Sequence, residues 1–179
     1  FEESQQLLSE IHDQQRMVGA LNNLGNLHSE LQLYEQALKY YSQSWQLSEK
    51  IGKPFSEPLS NIGNLFFRQG NYQRAVEYYG RALELSKKEN NRLDILNTTS
   101  NMGEVYVRAG RPKEAQQYLD EALALCKEMQ ASYFEPQILK SQAANLAAQG
   151  KMKEAYQKML DYDKAKDRIF NEESTRKIA

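Results

Sequence analysis

The sequence predicts an all-α chain made of one helix pair repeated four times. The first observation is self-similarity: "NNLGNLHSELQLYEQALKYY" (22–41), "SNIGNLFFRQGNYQRAVEYY" (60–79), "SNMGEVYVRAGRPKEAQQYL" (100–119) and "KSQAANLAAQGKMKEAYQKM" (140–159) align in register. A small residue recurs as Gly25, Gly63, Gly103 and Ala143, and an alanine as Ala37, Ala75, Ala115 and Ala155; subtraction gives steps of 38, 40 and 40 residues for both series. The second observation is that apolar residues inside each copy fall three and four apart, the helical period. The third is that no stretch alternates apolar and polar residues as a half-buried strand does.

Within the second copy, Leu59, Ile62, Leu65 and Phe66 mark the buried stripe of a first helix. Gly70 ends that helix, because glycine tolerates the left-handed conformation of a C-terminal cap. Asn71 is placed to cap the next helix with its side-chain oxygen. Ala75, Tyr78, Tyr79, Ala82 and Leu85 form the apolar face of that second helix. Gly110 and Gly150 repeat the stop. Pro58, Pro112 and Pro136 fall where proline is tolerated, in the first turn of a helix. At the start of the chain, Phe1, Leu7, Leu8 and Ile11 share one helical face, which is expected to belong to a preceding helix.

Composition narrows the function. The 179 residues are 40% hydrophobic and 26% charged, an ordinary globular balance. Lys plus Arg number 23 against 24 for Asp plus Glu, a net charge of −1, which argues against a nucleic-acid or membrane-surface role driven by bulk charge. No apolar run approaches the ~20 residues of a membrane helix, and no signal peptide is present. Cys126 is the only cysteine, so no internal disulfide forms. It stands where Ser48 and Ser86 stand in earlier copies and reads as an unreactive helix residue. His28 occupies the slot of Phe66, Tyr106 and Leu146, a structural position, and His12 has no partner pattern. Trp45 shares a slot with Leu83 and Leu123 and is expected in the core. Two histidines and one cysteine make neither a triad nor a metal cluster, and there is no Gly-rich phosphate loop. No catalytic residue, metal site or cofactor is expected.

These residues resemble the tetratricopeptide repeat. The match rests on Leu21, Leu24, Gly25, Tyr34, Ala37 and Tyr41 in the first copy, and on Leu59, Ile62, Gly63, Phe66, Gly70, Tyr72, Ala75, Tyr79 and Ala82 in the second. Met102, Gly103, Tyr106, Gly110, Ala115 and Ala122 carry it in the third, and Leu139, Ala143, Leu146, Gly150 and Ala155 in the divergent fourth. The family repeat has 34 residues, so the copies here are longer by about one helical turn, as in long-helix variants of bacterial regulators and eukaryotic adaptors. The resemblance implies an α-solenoid, a right-handed superhelix of antiparallel helix pairs with a groove. The expected organisation is a second-helix remnant of a preceding repeat (1–15), repeats at 16–53, 54–93, 94–133 and 134–170, and a C-terminal helix extension (171–179).

The resemblance also implies that first helices line the concave groove. Directly before the small residue stand Asn23, Asn61, Asn101 and Ser141; one residue after it stand Asn26, Asn64, Glu104 and Ala144. Positions three apart are neighbours on one helix face, and an asparagine both donates and accepts. Such a ladder suits an extended backbone of any sequence, as in peptide-binding relatives. Phe67 and Val107, further along, offer apolar contacts, and Arg68 and Arg108 suit a carboxylate. The bland alternative is that the asparagines bridge adjacent repeats and Phe67 is half-buried by a neighbouring helix. The lysine clamp of chaperone-binding relatives is missing: its positions hold Gly19, Asn22, Glu57, Ser60, Asn97 and Ser100.

The partner expected is therefore a protein or peptide. No nucleic acid is expected, and no membrane within this segment. A homodimer, with the groove or end helices packed on a second copy, is the competing reading. The tail "KDRIFNEESTRKIA" resembles the exit segment of tetratricopeptide sensor modules in bacterial signalling proteins. Ala165, Ile169 and Phe170 form its short stripe, and Ile178 ends it. Together with the mid-helix start, this implies an excerpt of a larger regulator, in the cytoplasm, or in the periplasm if the parent is a membrane sensor.

Overall fold

The computed structural model describes the backbone of residues 2–178 and the side chains of residues 10, 12–172 and 174. The expected stripe of Phe1, Leu7, Leu8 and Ile11, and Ile178, lie outside the described side chains. Eight α-helices follow one another, with no strand among the described residues: α1 (Glu2–Glu30), α2 (Tyr34–Lys50), α3 (Ser56–Arg68), α4 (Tyr72–Lys88), α5 (Arg92–Arg108), α6 (Pro112–Glu128), α7 (Glu135–Ala148) and α8 (Met152–Ile178). A single 3₁₀ turn, Ser132–Phe134, leads into α7. No described helix is long and apolar enough to cross a membrane.

The chain forms two compact halves, residues 1–94 and 95–179. In the first half α1 packs on α2, α2 on α3, and α3 on α4. In the second half α6 packs on α7 and α7 on α8. Short connections force each pair antiparallel, so the up-down order follows from the turns.

The turns follow from backbone chemistry. After α3, Gly70 adopts φ +75°, and the Asn71 N–H reaches back to the Phe66 carbonyl at 2.8 Å. This closing bond satisfies a carbonyl that the helix end would leave orphaned. The same closure follows α1, where Gln32 takes φ +59° and the Leu33 N–H donates to the His28 carbonyl at 2.8 Å. The Asn71 cap is present, its Oδ1 accepting from the Arg74 N–H at 3.2 Å. The three prolines sit at the first, second and third residues of α6, α7 and α3 respectively.

One boundary differs from expectation. Residues 2–15 continue α1 without a break; they are an N-terminal extension of the first helix of repeat one, and no separate second helix of an earlier repeat ends at residue 15. The physical reason is local: "DQQRMV" (13–18) holds no breaker, and the first left-handed residue is Gln32.

The core is built where helices of a pair touch. A Cβ placed on Gly63 would stand 2.9 Å from ring carbons of Tyr79, and one on Gly103 2.6 Å from Leu119 Cδ2. Both partners are buried, so neither ring nor isobutyl group can swing away cheaply. The second half closes around Leu96, Leu119, Ala122, Cys126 and Ile138. Across the first three pairs a second contact repeats: Phe66 stacks on Tyr78 and Tyr106 on Tyr118, both with centroids at 5.4 Å, and His28 meets Tyr40 at 4.8 Å.

Gly63→Ala is expected to destabilise the protein by about 1–3 kcal/mol, because overpacking outweighs the helix propensity gained. Gly80 faces open space within α4, so Gly80→Ala is expected to stabilise by about 0.5–1 kcal/mol. Thermal unfolding by circular dichroism checks the opposite signs; a rise in Tm for Gly63→Ala would contradict the packing account.

Candidate functional site

The first-helix face begins at the glycine contact. Because Gly25 has no side chain, the Tyr41 ring lies against the α1 backbone, and its hydroxyl reaches one residue further. There it donates to Asn26 Oδ1 at 2.7 Å. In repeat two the Tyr79 hydroxyl donates to Asn64 Oδ1 at 2.5 Å. Repeat three has Leu119 in the tyrosine slot, and its Glu104 instead accepts from Gln137 Nε2 at 2.9 Å. Repeat four has Met159 and Ala144. Tyrosine and asparagine thus occur together or not at all.

In the first half the network spreads between α1 and α3. Asn61 Nδ2 donates to Asn22 Oδ1 at 3.0 Å and to Asn26 Oδ1 at 3.2 Å. Asn22 Nδ2 in turn donates to Glu57 Oε1 at 2.9 Å. Both hydrogens of the Asn61 amide are therefore engaged inside the protein, and Asn61 bridges adjacent repeats as the bland alternative supposes. Asn22 and Glu57, noted in sequence only for lacking a lysine, turn out to be members of this network. Their signal was their position beside the asparagine series.

Burial pushes the Tyr41 phenol above its ordinary value; the Ser29 hydroxyl and Arg68 oppose the rise, while Glu57 and Glu30 add to it. Arg68 and Glu57 thus lie within electrostatic reach of the network.

The other expected residues are spread along their helices. Asn23, Arg68 and Arg108 are exposed, and Asn26, Asn64 and Asn101 are half-buried. Phe67 is half-buried with its ring 6.0 Å from Tyr72, in its own repeat. Val107 packs against the second half's core, so it contributes more to packing than to an open apolar surface.

Elsewhere, Trp45 differs from expectation. It is half-buried and lines a cavity of about 370 Å³ with Pro54, Leu59, Arg81 and Glu84. The Arg81 guanidinium lies 5.8 Å from the Trp45 ring centre and 5.3 Å from that of Tyr78. Cys126 is buried and donates to the Ala131 carbonyl at 3.1 Å. Burial and the nearby Glu135 push its thiol up, away from the reactive thiolate. His28 Nδ1 donates to the Leu24 carbonyl at 2.8 Å. Among the described residues no group of three or more His, Cys, Asp or Glu could hold a metal ion.

The Tyr41 hydroxyl makes stability alkali-sensitive. Its raised folded-state value favours the protonated phenol in the native protein, so that stabilisation is complete below about pH 10 and fades as pH climbs through the folded value. Tyr41→Phe is expected to cost about 0.5–1.5 kcal/mol at neutral pH and to flatten the fall in Tm above about pH 10. An unchanged pH profile would count against the burial of the Tyr41 phenol.

Family profiles described as tetratricopeptide repeat match residues 18–51 and 54–128, together more than half of the chain. No curated protein matches by sequence. Several solved structures share the fold. The apo form of RapI is 18% identical with a TM-score of 0.78, covering 98% of this chain and 65% of its own. BtubC (BKLC) from P. vanneervenii is 18% identical with a TM-score of 0.74, covering 85% of this chain and 64% of its own. Aspartyl phosphate phosphatase F from Bacillus subtilis is 15% identical with a TM-score of 0.65, covering 86% of this chain and 50% of its own. The chain thus spans less than two thirds of the length of each. Identities this low establish a common fold alone.

Proposed function

Because the chain belongs to the tetratricopeptide-repeat family, we propose that it is a non-catalytic scaffold that binds an extended protein segment along the first-helix faces of its repeats. One observation carries this reading. The Tyr41 and Tyr79 hydroxyls occupy the carboxamide oxygens of Asn26 and Asn64. Each amide is thereby fixed in one orientation, with its nitrogen left to donate. A row of fixed donors suits the carbonyl oxygens of an extended backbone, and preorganisation lowers the entropy cost of binding.

Within the first half Asn23 extends the polar row, and in the second half Asn101 holds the equivalent position of α5. Arg68 and Arg108, both exposed, favour acidic side chains in the ligand. Phe67, beside Tyr72, supplies an apolar edge. Asn61 acts as a strut that holds α3 to α1, a narrower part than the general clamp its sequence position suggested. The wider role, an interaction module of a larger bacterial signalling protein, draws support from the shared fold with a protein named for aspartyl phosphate. It also draws on α8 running 27 residues as one helix, well beyond the length of α4 or α6.

Fluorescence anisotropy with acidic and basic peptide pools tests this. The wild type is expected to prefer the acidic pool, and Arg68→Ala combined with Arg108→Ala to weaken that binding by up to about thirtyfold, in line with about 1 kcal/mol or less per exposed charge pair. Equal binding of both pools, or no loss in the double variant, would remove the proposed face.

A further inference from the structure

One cavity is built twice in this chain, and most of its charges are reversed in the second copy. In the first half it lies between α2 and α4 and reaches Leu59 of α3, with Trp45, Glu49, Arg81, Glu84 and Lys88 around it. In the second half a cavity of about 230 Å³ lies between α6 and α8 and reaches Leu139 of α7. By the repeat register Trp45 becomes Leu123, Glu49 becomes Lys127, Arg81 becomes Asp161, Glu84 becomes Lys164 and Lys88 becomes Arg168. All five of these residues line the second cavity. Helix packing therefore makes the space, and the side chains decide what it can hold.

The first cavity is balanced in charge and occupied in part by its own side chain. Glu49 and Glu84 face Arg81 and Lys88, and the Arg81 guanidinium lies 5.8 Å from the Trp45 ring centre and 5.3 Å from that of Tyr78. The second cavity has Lys158 in the register position of Tyr78. Four cations, Lys127, Lys158, Lys164 and Arg168, line it against two carboxylates, Glu135 and Asp161. Arg168 is committed to Glu135, and Asp161 Oδ1 accepts from Gln157 Nε2 at 3.3 Å. Among the described residues Lys127, Lys158 and Lys164 have no ion-pair partner. Lys158 is half-buried, so its ammonium gives up hydration with no paired carboxylate in return. Along α8, Lys158, Asp161, Lys164 and Arg168 stand three, three and four residues apart, one stripe of the helix.

We propose that the α6–α8 cavity binds a phosphate monoester carried on a short aliphatic stem. Its excess of two positive charges matches a phosphate ester, which carries about −1.5 to −2 at neutral pH; a single carboxylate would leave one ammonium unanswered. Lysine ammoniums suit phosphate as point charges with three donors each. Leu123, Leu139 and Ala165 line the same space and offer apolar contact to the carbons of the stem. The site uses no residue of the proposed peptide-binding row and stands independently of that reading.

Isothermal titration calorimetry tests this, with free O-phospho-L-serine and with one peptide bearing phosphoserine, glutamate or serine at its centre. The phosphoserine peptide is expected to bind about tenfold or more tighter than the glutamate peptide, because its second negative charge meets a second ammonium. Lys158→Gln combined with Lys164→Gln should weaken phosphoserine binding by about tenfold, and Lys164→Gln alone, at an exposed position, by about threefold, with helical circular dichroism unchanged. Lys164→Arg should retain binding, as should Lys153→Gln, which removes an exposed α8 charge outside the cavity. Arg68→Ala combined with Arg108→Ala should leave it unchanged, which separates this site from the peptide-binding face. Free O-phospho-L-serine that matches the phosphopeptide supports the site and assigns it a small phosphate ester. A much tighter phosphopeptide supports the site and assigns it a phosphorylated protein segment. No binding of either phosphate ligand overturns the proposal, and so does equal binding of the phosphoserine and glutamate peptides. Full binding by the double lysine variant, or an equal loss in Lys153→Gln, overturns it as well.

Discussion

Everything in this fold hangs on how closely two antiparallel helices approach at one residue. At Gly63 the space for a Cβ is already taken by the ring of Tyr79, and at Gly103 by the side chain of Leu119. That approach sets the spacing of a helix pair, and with it the angle at which every neighbouring side chain meets its partner. Van der Waals contact is weak per atom pair but summed over a buried ring it is large. A closely packed pair is thus both the stabilising element and the ruler of the repeat.

The polar face is a consequence of the same contact. A tyrosine ring flat against a helix backbone places its hydroxyl one residue past the glycine, where it needs an acceptor because buried donors cannot go unpaired without cost. An asparagine there supplies it. Once its oxygen is engaged, the amide has a single orientation, and Asn26 becomes a junction to Asn61 and, through Asn22, to Glu57. Packing therefore determines which way a surface amide points. Where leucine replaces tyrosine, in repeat three, the junction is absent and Glu104 turns to Gln137.

The joints between successive helix pairs are less uniform. The α2–α3 joint buries Ile62 and Leu65, while the α6–α7 joint buries Gln142 and Asn145, whose side-chain nitrogens donate to α6 while Gln142 Oε1 has no hydrogen-bond partner among the described residues. A buried amide is demanding in geometry, because each polar atom left unpaired costs free energy. The two kinds of joint would not exchange partners well.

The sequence by itself determined the helix count per repeat, the register, the stops at Gly70, Gly110 and Gly150, and the Asn71 cap, because these depend on local chemistry and on a pattern that repeats four times. It also read Cys126 as an unreactive helix residue and His28 as a structural one, since each stands in a column of core or small residues. Only the tertiary structure decided what the asparagines do. Asn61 and Asn64 lie three residues apart on one helix, yet Asn61 spends its donors on α1 while Asn64 accepts from the Tyr79 hydroxyl. That difference comes from which helix lies alongside, a long-range fact that spacing within one helix does not contain. The same reason moved Val107 toward the core and Trp45 to the wall of a cavity: periodicity says that a face is apolar, and only the neighbouring helix says whether it is covered.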